Sequence, residues 1–255
     1  MRKLALLAVL TAVASGCLRL EQTLTLKEDG SGTFECTCAV PEETLSQLRA
    51  AAKIEHEMAR AANEAGPATP RKDYIDMFLY DSDEQIRKEL GTLKKYGITV
   101  TRLKVEGREA RRQMELALQF QNLADVAKTD FFKEYGFSLT KNKDGDYVLQ
   151  RPPPVREKVD MPDLTKTENA RLITPLLAGF FVQVKVNTPS RILRTNAHNK
   201  STRTAVWTFD YDNKPDAFMA VQTEGLGIVF EGKGLKIPEI QPEPAKDAPS
   251  GTGKT

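Results

Sequence analysis

The sequence predicts an α+β domain, a largely antiparallel sheet with a few packed helices, and three observations lead there. Several runs of five to eight residues alternate strictly between apolar and polar side chains, the period of a half-buried strand. Glycine-bearing turns separate neighbouring runs, as hairpins require. Between these runs lie stretches whose apolar residues recur at helical spacing, placed singly and not in regular βαβ alternation.

The chain opens on Arg2 and Lys3, continues through an apolar run from Leu4 to Val13, and closes on Ala14-Ser15-Gly16-Cys17. A basic start, a short apolar run and small residues at a cleavage point are the parts of a secretory signal. With the cysteine after them the stretch resembles the bacterial lipobox. That resemblance implies removal of residues 1–16 and acylation of Cys17, which then anchors the chain to a membrane. More than one acyl chain gives stable anchoring, at about 0.8 kcal/mol per buried methylene. Leu18 stands where some bacteria place an inner-membrane retention aspartate, so outer-membrane delivery is the expectation in a cell that has one.

Residues 17–235 read as the folded body. Leu20, Leu24 and Leu26 alternate with Glu21, Thr23 and Thr25, Asp29-Gly30-Ser31-Gly32 turns, and Phe34 to Val40 returns as the second strand of a hairpin. Pro41 opens a helix with a thin face of Leu45, Leu48, Ala52, Ala59 and Ala62, and the break at Ala65 to Pro70 ends it. Ser82 to Tyr96 repeats the helical period through Ile86, Leu90 and Leu93 and stops at Gly97. Strands Ile98 to Val105 and Gln113 to Phe120 follow, with the turn expected at Glu106-Gly107. Asn122 starts a short helix running through Val126 and Phe131 to Tyr135.

Phe137 to Thr140 and Tyr147 to Gln150 form a small hairpin about Asp144-Gly145. The proline-rich, charged stretch near 151–164 reads as a connector and leaves room for two lobes. Phe180 to Val186, Ile192 to Asn196, Thr202 to Tyr211, Ala217 to Thr223 and Gly227 to Glu231 are then expected as strands of one antiparallel meander. Residues 236–255, rich in proline and small polar residues, are expected to be a disordered tail. The row Phe180, Val182, Val184, Val186, Trp207, Phe209 and Tyr211 is expected to face one apolar interior. Helices around Leu45 and Leu90 are its expected roof, either packed tightly against it or standing off to leave a hollow for an acyl chain.

The chain carries 37 basic and 35 acidic residues, and Arg2 and Lys3 leave with the signal, so the exported form is balanced. A balanced, interspersed charge lacks the basic field of a nucleic-acid binder. Cys36 and Cys38 share one strand face, where small core residues, a strained redox pair and part of a metal site are the alternatives. His56 and His198 are the chain's two histidines and stand far apart. There is no nucleophile elbow, phosphate loop, paired-histidine motif or dinucleotide fingerprint, so neither a cofactor nor an enzymatic activity is expected.

The lipobox with Cys17-Leu18-Arg19-Leu20 and its hairpin, together with Val186-Asn187-Thr188-Pro189, Arg194-Thr195-Asn196 and Val206-Trp207-Thr208-Phe209, resembles the LppM-type bacterial lipoprotein domain. That resemblance implies an α+β envelope domain with an apolar hollow for a lipid or glycolipid. The functional expectation is a noncatalytic lipid-anchored envelope protein that binds such a ligand. Its alternative is a structural or assembly protein docking on other envelope components.

Overall fold

The computed structural model describes residues 18–46, 49–50, 77–78, 82–108, 111–133, 136–153 and 177–242. Cys17, His56, most of the expected alanine-rich helix, and the connector from residue 154 lie outside them; residues 42–46 and 49–50 are helical as expected. The elements in chain order are β1 (Arg19–Leu26), β2 (Gly32–Pro41), α1 (Asp83–Gly91), β3 (Ile98–Arg108), β4 (Arg111–Phe120), α2 (Leu123–Ala127), β5 (Ser138–Lys141), β6 (Tyr147–Arg151), β7 (Phe181–Asn187), β8 (Ile192–Thr195), β9 (Asn199–Lys200), β10 (Thr204–Asp210), α3 (Ala217–Thr223) and β11 (Leu226–Phe230). The fold is α+β, with two sheets ordered β3-β4-β2-β1-β7-β10-β9 and β5-β6-β11-β8.

Local chemistry explains why these elements begin and end where they do. At the β1–β2 turn Asp29 accepts hydrogen bonds from the Ser31 amide at 2.9 Å and hydroxyl at 2.7 Å, while Gly30 takes φ +85°, a conformation that L side chains rarely adopt. Ser82 and Gln85 close a reciprocal capping box at the start of α1. A 3-10 turn, Thr92–Tyr96, continues from α1 and ends on Gly97 at φ 69°. In the β5–β6 turn the Asn142 side chain accepts from the amides of Asp144 and Asp146.

Four expectations are corrected. The β3–β4 ladder runs on to Arg108↔Arg111, so Glu106-Gly107 is strand, held there by the register set at Ile98↔Phe120; a bulge at Val100/Arg102 takes in Thr101 as one extra residue. The short helix after Asn122 stops at Ala127 and gives way to turns. Ala217–Thr223 is a helix: Pro215 stands in the turn before it, where the Ala217 amide donates to the Lys214 carbonyl, and Ala217 to Val221 is unbroken by any polar alternation that would hold a strand to one face. The expected meander is divided between sheets: β7 pairs antiparallel with β10 and parallel with β1, whereas β8 and β11 join β6 in the second sheet.

The segment from Gly232 to Ile240 is likewise ordered where a loose tail was expected from Lys236. Its Lys236 amide donates to Glu28 at 3.0 Å, and Leu139 and Ile240 exchange both backbone hydrogen bonds. Tyr147 Oη donates to the Ile237 carbonyl at 2.8 Å and accepts from the Ile237 amide at 3.0 Å. This strap ties the β1–β2 turn of the large sheet to the β5–β6 edge of the small one, and its anchor, Ile237, is 4% exposed.

Candidate functional site

The two sheets face each other, and apolar rows meet between them. Cross-strand neighbours put Gln22, Val184 and Trp207 at one level and Leu24, Phe34 and Val186 at the next. The small sheet answers with Leu149 of β6 and Leu226 and Ile228 of β11. The rows do not close on each other. They enclose an apolar hollow of about 120 Å³, walled also by Phe120, by Val126 of α2, and by Phe132 and Phe137.

Past Leu149 and Ile228 the rows of the small sheet run on into packed core. Tyr147 stacks on Phe230 at 5.5 Å between ring centroids, and both are buried beneath the strap. On the far wall Phe132 meets Phe34 edge-on at 5.1 Å. The helices bearing Leu45 and Leu90 bury those residues in the core, and none of their described residues lines the hollow. The roof is therefore the second sheet and the segment after α2. The correction has a physical reason: β6, β11 and β8 pair into a sheet of their own, which covers an apolar face more fully than a thin helix stripe does.

Trp207 is 0% exposed and forms part of the wall. Its indole Nε1 donates to Asn196 Oδ1 at 3.3 Å, the Gly227 amide donates to the same oxygen at 2.9 Å, and Asn196 Nδ2 donates to the Gly225 carbonyl at 2.7 Å. One carboxamide thus joins β10 of the large sheet to β11 of the small one. Asn187 makes a second bracket: its Nδ2 donates to Thr25 Oγ1 at 3.0 Å, and its Oδ1 accepts from Thr204 Oγ1 at 2.9 Å. Thr188 Oγ1 bonds the carbonyls of Ser190 and Arg203. Of the polar residues that read as motif, Asn196 ties the two sheets together, while Asn187 braces neighbouring strands within the large one.

Cys36 and Cys38 lie buried and unbridged on β2, at 2% and 0% exposure; neither lines the hollow, although Cys36 is paired with the lining residue Gln22. Cys38 sits across from Leu20 and Met114, and burial pushes its thiol up from 9.0 to about 12. The thiol thus stays protonated and unreactive at neutral pH. An acid whose folded pKa is raised keeps its proton longer when folded, so stability is full below pH 9 and falls as pH climbs from about 9 toward about 12, by about 1.4 kcal/mol per unit. Cys38→Ala removes that slope. Urea unfolding of both proteins should show the wild-type advantage shrinking above pH 9, and parallel curves would contradict this origin.

His198 lies beside β10, its Nδ1 accepting from the Thr208 amide at 3.0 Å and its Nε2 3.4 Å from Glu224. Among the described residues no group of three or more His, Cys, Asp and Glu side chains could hold a metal ion, and no helix is long and apolar enough to cross a membrane.

Three polar lining residues, Gln22, Gln150 and Arg151, escaped the sequence reading. Gln22 interrupts the inward row Leu20, Leu24, Leu26, and Arg151 ends the inward row Tyr147, Leu149. A polar residue in phase with an apolar row was the available signal, and it becomes informative only once the facing sheet is known.

No known protein family matches the chain, and no curated protein matches it. Among solved structures it is similar to the folded domain of Mycobacterium tuberculosis LppM, at 12% identity and a TM-score of 0.38, over 85% of this chain and 91% of that one.

Proposed function

We propose that this chain is a noncatalytic envelope lipoprotein that is anchored through Cys17 and shelters the apolar part of a lipid-like amphiphile between its two sheets. The observation that carries the reading is the hollow itself, whose walls are almost wholly apolar. An apolar cavity of about 150 Å³ stays dry and takes a benzene ring, and pockets for drug-sized ligands run from about 300 Å³ upward. At about 120 Å³ the hollow suits the end of one chain or a single ring, not a whole glycolipid. The short reach from Cys17 to Arg19, where β1 begins, supports a body held close to the bilayer that supplies such molecules.

The Cys17→Ser protein should leave the membrane fraction and purify without detergent. Organic extraction of that protein followed by mass spectrometry should return a stoichiometric amphiphile, absent after Val184→Phe and Val186→Phe fill the hollow. An empty extract from folded protein, or the same yield from the filled variant, would refute the reading.

A further inference from the structure

Side chains alternate along the strands that wall the hollow, and two of the inward rows each include one long polar residue that lines it. In β1 the row Leu20, Gln22, Leu24, Leu26 contains Gln22, which is 9% exposed. In β6 the row Tyr147, Leu149, Arg151 ends in Arg151, which is half-buried and paired in register with Leu226. These rows belong to different, opposed sheets, yet both polar groups line the same hollow. Arg151 is also its one charged residue among the described ones.

Their position along the hollow is specific. Tyr147, at the other end of the β6 row, lies past the lining residues, stacked on Phe230 and bonded to Ile237 under the strap. Arg151 stands at the opposite end, where β6 finishes. Gln22 is likewise two residues nearer the start of β1 than Leu24, on the side away from the β1–β2 turn that the strap closes. The walls are almost wholly apolar, and Gln22 and Arg151 border the hollow toward the end away from the strap, which suits an amphiphile with its head at that end.

Resting on the hollow as a lipid site, we propose that its ligand is a single-chain amphiphile with an anionic oxygen head, a carboxylate or a phosphate monoester. Arg151 and Gln22 meet the head, the chain passes Val184 and Trp207 at the level of Gln22, and its end lies against Leu24 and Val186. A guanidinium offers several donors in a planar fork that matches carboxylate and phosphate oxygens, and a carboxamide adds neutral donors. Hydrogen bonds to an ionised acceptor are roughly twice as strong as neutral ones, and an apolar surround strengthens them further. The hollow's volume admits one chain end, which disfavours two-chain lipids.

Trp207 is the chain's single tryptophan and forms part of the hollow's wall, so its fluorescence reports occupancy. The detergent-free Cys17→Ser chain is titrated with an ω-bromo fatty acid, an ω-bromo alkyl phosphate and an ω-bromo fatty alcohol of one chain length, the bromine quenching Trp207 on contact. Both anions should quench at concentrations at least about tenfold below the alcohol, and the tighter anion identifies the head. Arg151→Gln should bring the anions to the level of the alcohol and leave the alcohol unchanged, while Arg151→Lys keeps part of the advantage. Gln22→Leu should weaken the anions less, and it serves if the Arg151 variants unfold. Equal quenching by acid and alcohol in the parent, or an anion advantage that survives Arg151→Gln in folded protein, overturns the anionic head while the hollow stands. Absence of quenching by all three overturns the lipid site, and this proposal with it.

Discussion

Trp207→Ala is expected to destabilise the protein by about 3–5 kcal/mol, the range for deleting a large buried aromatic side chain. The residue is fully buried, walls the hollow and hydrogen-bonds the carboxamide that joins the two sheets. Deleting it extends a void that is already present, so the neighbouring Val184 has no partner toward which to collapse. The loss is a large share of a typical domain stability of about 5–15 kcal/mol. Urea unfolding should show the midpoint falling at nearly constant slope. Trp207→Phe, which keeps most of the bulk and loses the hydrogen bond to Asn196, should cost about half as much. A loss under about 1 kcal/mol for the alanine variant would mean that β10 does not pack as described.

Gly32→Ala should be nearly as damaging, for a steric reason. A Cβ at Gly32 would stand 2.0 Å from the Thr25 carbonyl oxygen and 2.7 Å from Phe120 Cζ. The first contact is backbone within the β1–β2 ladder, so no rotamer change relieves it and the strands must separate. Overpacking of this kind costs typically 1–3 kcal/mol and occasionally more, and a clash with backbone puts this variant at about 3 kcal/mol or above. Gly107→Ala is the matched control, since nothing lies within 4 Å of its added Cβ. That variant should stay within about 0.5 kcal/mol of the parent. Thermal unfolding of the pair distinguishes a local clash from a general intolerance of substituted strand glycines.

Much of the fold was legible because local chemistry decided it. Asp29-Gly30-Ser31 forces its turn, Ser82 caps its helix with Gln85, and Asn142 organises the β5–β6 turn through its own side chain. Ala217–Thr223 misread because a short apolar run has no period of its own; the helix is held by the packing of Phe218 against Phe180 at 5.3 Å between ring centroids. The division into two sheets was hidden for a different reason. Nothing local to Ile192–Thr195 or Leu226–Phe230 says which neighbour they pair with, and the choice depends on β6, some forty to seventy-five residues away. The candidate site inherits that limit. Val184, Val186 and Trp207 were readable as one inward face, whereas Gln22 and Arg151 acquire meaning only when the second sheet is laid over the first. The strap was masked by composition, since Pro238 and its charged neighbours read as tail although Ile237 is anchored by Tyr147.

The most direct measurement of whether the hollow holds an acyl chain is paramagnetic broadening of methyl NMR signals. The detergent-free Cys17→Ser protein would be loaded with a medium-chain fatty acid carrying a nitroxide at its ω end. The strongest broadening is expected at Leu24, Val184, Val186 and Ile228, which wall the hollow, with Ile86 and Leu90 of α1 spared. Broadening centred on α1, or weak and even broadening over the whole surface, would contradict a ligand held between the sheets.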